Sequence, residues 1–546
     1  MNQLPLTLVI TDSITLQEIV KKFEASSVDL ILIDQYSVIA QPHMDLLSNY
    51  PRTVSTALVA KIKNGNTLVR YNRVESASSK FHQVTFGNNY FLGAIRLSQK
   101  QRSEIISALS KADSQNISGN TADLTLVALV RATIEVAAAE VWAAPYIRTT
   151  NEAERDRVRK EIDLINPNKV RLLMANRSND GFFSVFVLRR FSKLLTNLAV
   201  KIKATPNQVT MISLAIGLYS AYLFAQGSPW SLFAGALLLQ VSIVVDCVDG
   251  ELARYTRQFS KLGGWLDAVT DRVKEYMVLL GLAYGSWQMK NDLWIVATVI
   301  MIIQTIRHLS DYNFAQLQKI RSSETFKTSV DYTAKFDGII RTENEPRVGV
   351  RYWFSKIIQF PIGERWLVIS AASAIGGAVL TFTLLPILAL ISALFVIRGR
   401  FIVSRKILKN QIRSSLIINQ LDLFSARKSF LIRFSWLEPS ILRAIEFIVL
   451  LAIFIEKDLI STTTFIIFFS ICFHHYDNLY RAMLESKKPK WLNRLGLYVE
   501  GRLLVIGLVA VTGWPLIWLA WYFGVLFIGI ASIQWVIYLS ANRVRQ

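Results

Sequence analysis

The sequence predicts a polytopic α-helical membrane protein that begins with a soluble α/β domain. Two long runs contain no Asp, Glu, Lys or Arg: residues 366–397 form a run of 32 residues, and residues 503–542 form a run of 40. Because one membrane-spanning helix needs about 20 residues, each run is long enough for two helices. We expect the breaks near Pro386 and at the Gly-Trp-Pro sequence that starts at Gly513.

The charge of the chain supports a membrane location. The formal net charge is +21, and 52% of the residues are hydrophobic. Lys and Arg cluster beside the apolar runs, for example at 398–409 and 487–490, as they do in the positive-inside loops of membrane proteins. This distribution favours a lipid bilayer as the partner over nucleic acid. The two cysteines, Cys247 and Cys472, lie in apolar segments and indicate neither a disulfide framework nor a cysteine zinc site.

Residues 1–165 are predicted to form the soluble α/β domain. LPLTLVI and DLILIDQY are typical of short buried strands, and the sequence between them has helical spacing. Residues 66–74 are predicted to form one strand, and residues 121–144 a helix. The domain contains neither a Walker-type phosphate loop nor a G-x-G-x-x-G motif. The first residues lack the features of a signal peptide, so we expect this domain to stay in the cytoplasm.

The rest of the chain is predicted to associate with the bilayer. Residues 180–203 mix apolar and basic residues, which predicts an amphipathic helix on the membrane surface, with a basic linker helix as the alternative. A six-helix membrane domain (204–410) and a four-helix membrane extension (430–546) follow. The expected spans are 208–226, 229–256, 263–287, 292–317, 365–384 and 386–408, then 440–456, 459–484, 499–513 and 515–541. A cytoplasmic loop is expected at 319–350.

Four aspartates fall at the ends of the second and third predicted spans. Asp246 and Asp249 share one helix face with Gly250, Ala253 and Arg254, because these residues follow the i, i+3, i+4, i+7, i+8 spacing. Two further aspartates, at 267 and 271, share one face of the next helix. Two consecutive helix ends can therefore bring four carboxylates together.

Four neighbouring carboxylates repel one another in a low dielectric and need compensation. Hard divalent cations bind carboxylate oxygens, and no histidine lies within 246–271, so the residues favour an all-oxygen Mg²⁺ or Mn²⁺ site. The alternative is a solvated helix end in which the aspartates pair with nearby Arg and Lys. Ionisable residues within spanning segments are costly and usually functional, which favours the metal site.

The pattern Asp246-x-x-Asp249-Gly250-x-x-Ala253-Arg254, then eight residues and Gly263-x-x-x-Asp267-x-x-x-Asp271, resembles the signature of the CDP-alcohol phosphotransferase family. The resemblance extends from the amphipathic segment to about residue 410. It implies a six-helix membrane fold, two divalent ions and a homodimer. It also implies a reaction in which a phosphoalcohol passes from a CDP-alcohol to an acceptor hydroxyl, with release of CMP.

The resemblance assigns roles to individual residues. It implies Asp246, Asp249 and Asp267 as metal ligands, and Asp271 as both metal ligand and general base. The residues implied at the nucleotide are Asn207, Gly250, Ala253, Arg254 and Ser260. The small side chains among them let the nucleotide approach the helix backbone.

The acceptor site is harder to predict. Arg307, Arg365 and Arg398 are candidates for an acceptor phosphate, because the arginine fork of donors suits phosphate. Positive-inside anchoring is the alternative for Arg398. His308 is better explained as a hydrogen-bonded histidine between helices. The donor can be CDP-diacylglycerol or a CDP-polyol, and the acceptor a polar or phosphorylated alcohol.

The two flanking regions carry weaker signals. The order of elements in the N-terminal domain resembles a nucleotidyltransferase fold. The glycine-rich loop expected after the first strand is missing, so we expect the domain to be degenerate. The C-terminal region resembles an uncharacterised membrane extension in which His474, His475 and Asp477 could bind a metal, although interfacial anchoring is the simpler interpretation. A polytopic cation-binding or transport protein is the alternative function. We expect a bacterial cytoplasmic membrane, with the N-terminal domain and the active site on the cytoplasmic side.

Overall fold

The computed structural model describes residues 5–50, 54–70, 72–79, 84, 87–175, 180–328, 349–405, 422–423, 434–483 and 488–543. The chain divides into two compact units. The first, called here the N-terminal unit, covers Met1–Asn176 and Lys319–Pro346, and the second, called the membrane unit, covers Arg177–Gln318 and Arg347–Gln546. Most of residues 409–439 and most of the predicted loop at 319–350 lie outside the described residues.

The N-terminal unit is built on a seven-stranded mixed sheet of strand order β1-β2-β7-β4-β8-β6-β5, which agrees with the predicted α/β class. Two strand pairs are parallel, β1 with β2 and β4 with β8. Its strands are β1 (Leu6–Ile10), β2 (Leu30–Asp34), β3 (Ser37–Ile39), β4 (Ser55–Lys61), β5 (Thr67–Arg70), β6 (Arg73–Ala77), β7 (Asn89–Leu97), β8 (Val136–Val141) and β9 (Tyr146–Arg148). Its helices are α1 (Leu16–Ala25), α2 (Gln41–Ser48), α3 (Arg102–Asp113), α4 (Thr121–Arg131), α5 (Glu152–Asp163) and α6 (Pro167–Met174).

Two predictions for this unit are wrong. The helix expected over residues 121–144 ends at Arg131, and β8 follows after a turn in which Thr133 has φ 58°. The alanines of β8 are good helix formers, but pairing with β4 in the interior of the sheet overrides that preference. The single strand expected over residues 66–74 is instead the hairpin of β5 and β6, which turns beside Asn72 at φ 58°.

The membrane unit consists of helices and short turns, with no strand among its described residues. Its helices are α7 (Arg189–Lys201), α8 (Pro206–Ala225), α9 (Pro229–Thr256), α10 (Lys261–Gln288), α11 (Trp294–Thr328), α12 (Val350–Ile358), α13 (Ile362–Arg405), α14 (Glu438–Glu456), α15 (Thr462–Met483), α16 (Lys490–Leu495), α17 (Tyr498–Thr512), α18 (Ile517–Phe523) and α19 (Ala531–Arg543). Thr205 begins α8 with a capping box, and Ser228 and Ser260 cap α9 and α10. The first four predicted spans therefore correspond to α8–α11.

The break predicted near Pro386 is wrong. Pro386 lies inside α13, and the non-helical residue is Gly377, with φ 66° and ψ −158°. Glycine reaches this backbone conformation without a Cβ clash, so the interruption occurs there. The second break is confirmed: α17 ends at Gly513, which has φ 74°.

Five helices of the described residues are long and apolar enough to cross a membrane, so the chain is a polytopic helical membrane protein. They are Pro206–Ala225, Pro229–Thr256, Ile362–Ser404, Lys490–Thr512 and Ile517–Leu539. The predicted count of six spans before residue 410 is not confirmed, because α10 and α11 are not among these five helices. Both helices carry charged residues along their lengths.

The segment predicted to be amphipathic has two distinct faces. A short π-helical turn at Ser184–Leu188 leads into α7. Leu194 and Ile202 are 71% and 68% exposed, whereas Arg189 on the opposite face is buried. Arg189 pairs with Glu251 of α9 at 2.7 Å. The exposed apolar face is therefore free to contact lipid.

The C-terminal helix α15 packs into the same core as α10 and α11. Most of its side chains are buried. Phe469 packs edge-on against Tyr276 of α10 at 5.7 Å, and Phe465 lies 5.9 Å from Trp294 of α11. The C-terminal region is therefore part of the membrane unit rather than a separate bundle.

Candidate active site

The aspartates lie on two helices that are joined by a short turn. Arg257, at φ 57°, ends α9 in the left-handed conformation, and the Ser260 side chain caps α10 at Gly263 N. Carboxylate oxygens of Asp246, Asp249 and Asp267 all lie within 4.8 Å of one another. The structure thus brings three of the four predicted aspartates into one cluster.

The three aspartates differ in their surroundings. Asp249 is buried and accepts a 2.5 Å hydrogen bond from Thr210 on α8. Asp246 accepts a 3.2 Å hydrogen bond from Ser213, also on α8. Asp267 is exposed. The cluster therefore rests on α8 at one side and opens to solvent at the other, which lets a ligand reach it.

This donor set fits a hard divalent cation. It consists of carboxylate oxygens on two rigid helices, and the protein holds them close together despite their mutual repulsion. Mg²⁺ and Mn²⁺ bind such oxygens and retain positions for substrate oxygens. The residues present are therefore consistent with the metal expected from the sequence.

Asp271 lies beside the cluster and is linked to it by a lysine that sequence reasoning missed. Lys274 is fully buried, forms an ion pair with Asp246, and places Nζ 3.1 Å from Oδ1 of Asp271. Its position could have been noticed, because Asp267, Asp271 and Lys274 follow the i, i+4, i+7 spacing of one helix face.

The residues expected at the nucleotide form two groups. A Cβ atom on Gly263 would lie 2.9 Å from Oγ of Ser260 and 3.0 Å from Oδ1 of Asn207. A Cβ atom on Gly250 would lie 3.2 Å from Nη1 of Arg254. Asn207 and Ser260 therefore meet around one glycine, and Arg254 lies over the other. Ala253, one residue before Arg254, is half-buried.

The three candidate acceptor arginines have different surroundings. Arg365 is buried and binds Glu275 of α10 through two contacts of 2.9 and 3.2 Å. Arg398 is exposed. Arg307 donates from Nη2 to the Gln359 carbonyl oxygen, and its Nε and Nη1 are buried without a hydrogen-bond partner among the described residues. Arg307 is therefore the candidate with buried donors to offer.

His308 is a hydrogen-bonded histidine between helices, as predicted. Arg272 donates to its ring at 2.9 Å, and the Tyr476 hydroxyl on α15 lies 2.7 Å from Nδ1. Arg272 also pairs with Glu275 at 2.7 Å. Together with Arg365, these groups form a buried polar cluster that contacts α10, α11, α13 and α15.

A second cluster of polar side chains lies in the C-terminal region. His474 and His475 are buried, which contradicts the interpretation as interfacial anchors. They come within 4.8 Å of Asp422, whereas Asp477 binds an arginine on its own helix. Arg502 already pairs with Asp422 at 2.9 Å, so that carboxylate charge is compensated without a metal.

Comparison with known proteins finds family matches for two parts of the membrane unit. Residues 203–335 match the CDP-alcohol phosphatidyltransferase family. Residues 371–544 match a family of unknown function. The chain is similar to the archaetidylinositol phosphate synthase of Pyrococcus horikoshii, with 39% identity over 18% of this chain and 48% of that protein.

Two further proteins with related names are also similar to this chain. A bifunctional IPC transferase and DIPP synthase of Thermococcus kodakarensis is 34% identical over 24% of this chain and 28% of its own length. A phosphatidylinositol phosphate synthase of Mycobacterium marinum is 31% identical over 23% of this chain and 53% of its own length. The chain thus spans about a quarter to a half of these relatives.

Proposed function

We propose that this chain, which belongs to the CDP-alcohol phosphatidyltransferase family through its membrane domain, transfers a phosphoalcohol group from a CDP-alcohol to an acceptor hydroxyl and releases CMP. The observation that carries the proposal is the convergence of Asp246, Asp249 and Asp267 within 4.8 Å, on helices α9 and α10. A cluster of carboxylates in an apolar bundle is costly unless it binds a cation.

Asp246, Asp249 and Asp267 would hold Mg²⁺ or Mn²⁺ in this proposal, and Asp271 would share a second ion. The metal would offset the charge that develops on the attacked phosphate. Arg254 lies over Gly250 and carries a guanidinium group suited to the diphosphate. Asn207 and Ser260 offer polar side chains around Gly263 for the nucleotide.

Asp271 is the proposed general base. It would accept the acceptor hydroxyl proton while the acceptor oxygen forms a bond to the phosphorus that bears the alcohol. The bond from that phosphorus to the oxygen of the CMP phosphate breaks, and CMP leaves with the bonding electrons. Asp271 is partly exposed and lies beside the metal-binding carboxylates, so an acceptor can reach both.

A phosphorylated inositol is the acceptor that we propose. Two relatives are named as synthases of inositol phosphate lipids. Arg307, with two buried donors that have no partner among the described residues, is the proposed ligand of the acceptor phosphate. The basic residues beside the apolar runs favour a cytoplasmic location for the site.

The test is CMP release by the full chain, purified in detergent with Mg²⁺ or Mn²⁺. CDP-diacylglycerol and CDP-inositol are each offered with inositol phosphate, glycerol phosphate, serine or inositol, and Asp271→Asn is the control. Metal-dependent release from one pair that is lost in the control would support the transferase. Mn²⁺ binding without release from any pair would favour the cation-binding alternative.

A further inference from the structure

We propose that Lys274 is a positioning residue of the active site, which holds Asp246 and Asp271 together and supplies a fixed positive charge beside the metal-binding carboxylates. The proposal deepens the function proposed above and rests on it. Neither the family signature nor the charge pattern of the sequence assigns a role to this lysine.

The ammonium group joins three helices. Lys274, on α10, pairs with Oδ1 of Asp246 on α9. Its Nζ lies 3.1 Å from Oδ1 of Asp271, one turn earlier on α10. It also donates a 2.9 Å hydrogen bond to Oγ of Ser213 on α8. One buried cation therefore sets the distance between a proposed metal ligand and the proposed base.

The surroundings of the side chain are shaped to hold it. A Cβ atom on Gly217 of α8 would lie 2.8 Å from Cγ of Lys274, so the lysine stem occupies space that only glycine leaves. The Trp366 ring of α13 faces Nζ at 5.3 Å from its centroid, a cation–π distance. The stem and the ammonium group are thus both fixed by neighbouring helices.

Charge explains why the site contains a lysine. A fully buried ammonium group is costly unless it is paired, and two carboxylates pair with it here. The same pairing reduces the repulsion among the four aspartates before a metal binds. A fixed cation must, however, weaken the attraction of a divalent ion to the cluster. Lys274 therefore lowers the affinity of the site for a metal ion and, at the same time, fixes the positions of Asp246 and Asp271.

We therefore expect Lys274→Met to raise the Mn²⁺ affinity and to lower the turnover rate. Mn²⁺ should bind about tenfold more tightly, because a nearby positive charge is lost. The kcat of CMP release at saturating Mn²⁺ should fall about 100-fold, because Asp271 is no longer held in position. Lys274→Gln keeps a hydrogen-bond donor, so it should show the tighter Mn²⁺ binding with a smaller loss of kcat.

The experiment measures Mn²⁺ affinity by titration calorimetry on the full chain without substrate, alongside kcat. Lys290→Met, an exposed lysine after the same helix, is the matched control and should change neither quantity. Weaker Mn²⁺ binding together with lower kcat would mean a packing role only and would overturn the proposal. A Mn²⁺ affinity and a kcat that both match the wild type would also overturn the proposal.

A second variant covers the case in which Lys274→Met fails to fold. Gly217→Ala displaces the lysine stem and so moves its ammonium group away from Asp246 and Asp271. Turnover should slow, and Mn²⁺ should bind more tightly than in the wild type, but by less than in Lys274→Met because the charge is retained. Gly507→Ala, where a Cβ atom meets only Ile453 at 3.6 Å, is its control. If the wild type releases no CMP, the proposed function fails, and the Mn²⁺ affinities still decide the role of Lys274.

Discussion

The hydroxyl oxygen of Tyr476 lies 2.7 Å from Nδ1 of His308 and joins the C-terminal helix α15 to α11. His308 in turn accepts a hydrogen bond from Arg272, the residue that follows the proposed base Asp271. The region that matches a family of unknown function therefore contacts, through His308, the arginine next to the proposed base. We infer that it supports catalysis through this contact.

Tyr476→Phe should lower the kcat of CMP release severalfold. The change removes the hydroxyl that binds His308 and leaves the polar cluster around Arg272 one partner short, at a cost of about 1–3 kcal/mol in stability. Tyr522→Phe is a matched control, because its hydroxyl binds the Leu495 carbonyl oxygen at 2.7 Å instead. Both variants should unfold at lower temperature. Equal kcat values for the two would contradict the inference.

Asp271→Asn should lower the kcat of CMP release by about 100- to 10,000-fold, because an amide cannot accept the hydroxyl proton. Mn²⁺ should still bind, because Asp246, Asp249 and Asp267 keep their carboxylates. The measurement combines CMP release with calorimetric titration of Mn²⁺. Near-normal turnover would remove Asp271 as the base.

Arg307→Met should raise the KM for a phosphorylated acceptor at least tenfold and leave the KM for the CDP-alcohol unchanged. Losing a charge-assisted contact to phosphate costs about 1.5–3 kcal/mol, which corresponds to that range. Steady-state kinetics with each substrate varied in turn give both constants. If Arg398→Met raises the acceptor KM and Arg307→Met does not, the assignment of Arg307 is wrong.

The N-terminal unit should lose stability as the pH falls below about 6.5, the ordinary pKa of histidine. Burial lowers the pKa of His43, whose Nε2 donates to the Trp142 carbonyl oxygen at 2.9 Å. The folded unit therefore keeps His43 neutral where the unfolded chain binds a proton, so protonation favours unfolding.

Hydrogen exchange of β8 peptides against pH measures this effect. His43→Gln should make the dependence shallower between pH 6.5 and the lowered pKa of His43. The difference between the wild type and the variant removes the contributions of other titrating groups. Identical pH profiles for the two proteins would contradict the assignment.

Arg148→Met should destabilise the N-terminal unit by about 3–5 kcal/mol, because it leaves the buried Asp34 without its cation. Arg148 pairs with Asp34 and with Asp123, each at 2.7 Å. Arg148 therefore compensates the charge of the buried Asp34 within the N-terminal unit. The double variant with Asp34→Asn should recover most of the loss in urea unfolding. CMP release should not change in either variant.

Local spacing was enough to predict that the aspartates of two consecutive helix ends come together, as Asp246, Asp249 and Asp267 do. Helical periodicity places Asp246 and Asp249 on one face and Asp267 and Asp271 on another, and a short turn brings the two faces together. Apolar runs likewise predicted α8–α11 to within a few residues at most boundaries, apart from the C-terminal extension of α11. These features depend on residues close together in the chain, so the sequence contains them directly.

Tertiary structure decided what depends on distant residues. Val136–Val141 forms a strand because it pairs with β4 in the sheet, although its alanines favour a helix. The sequence made Arg365 a candidate phosphate ligand, whereas in the structure it binds Glu275, which lies 90 residues away in sequence. The local sequence pattern was sufficient to show which carboxylates share a helix face, because that depends only on residues close together in the chain. Only packing between helices determined which of the charged groups, Lys274 above all, compensate one another, because pairing depends on distances that no local pattern encodes.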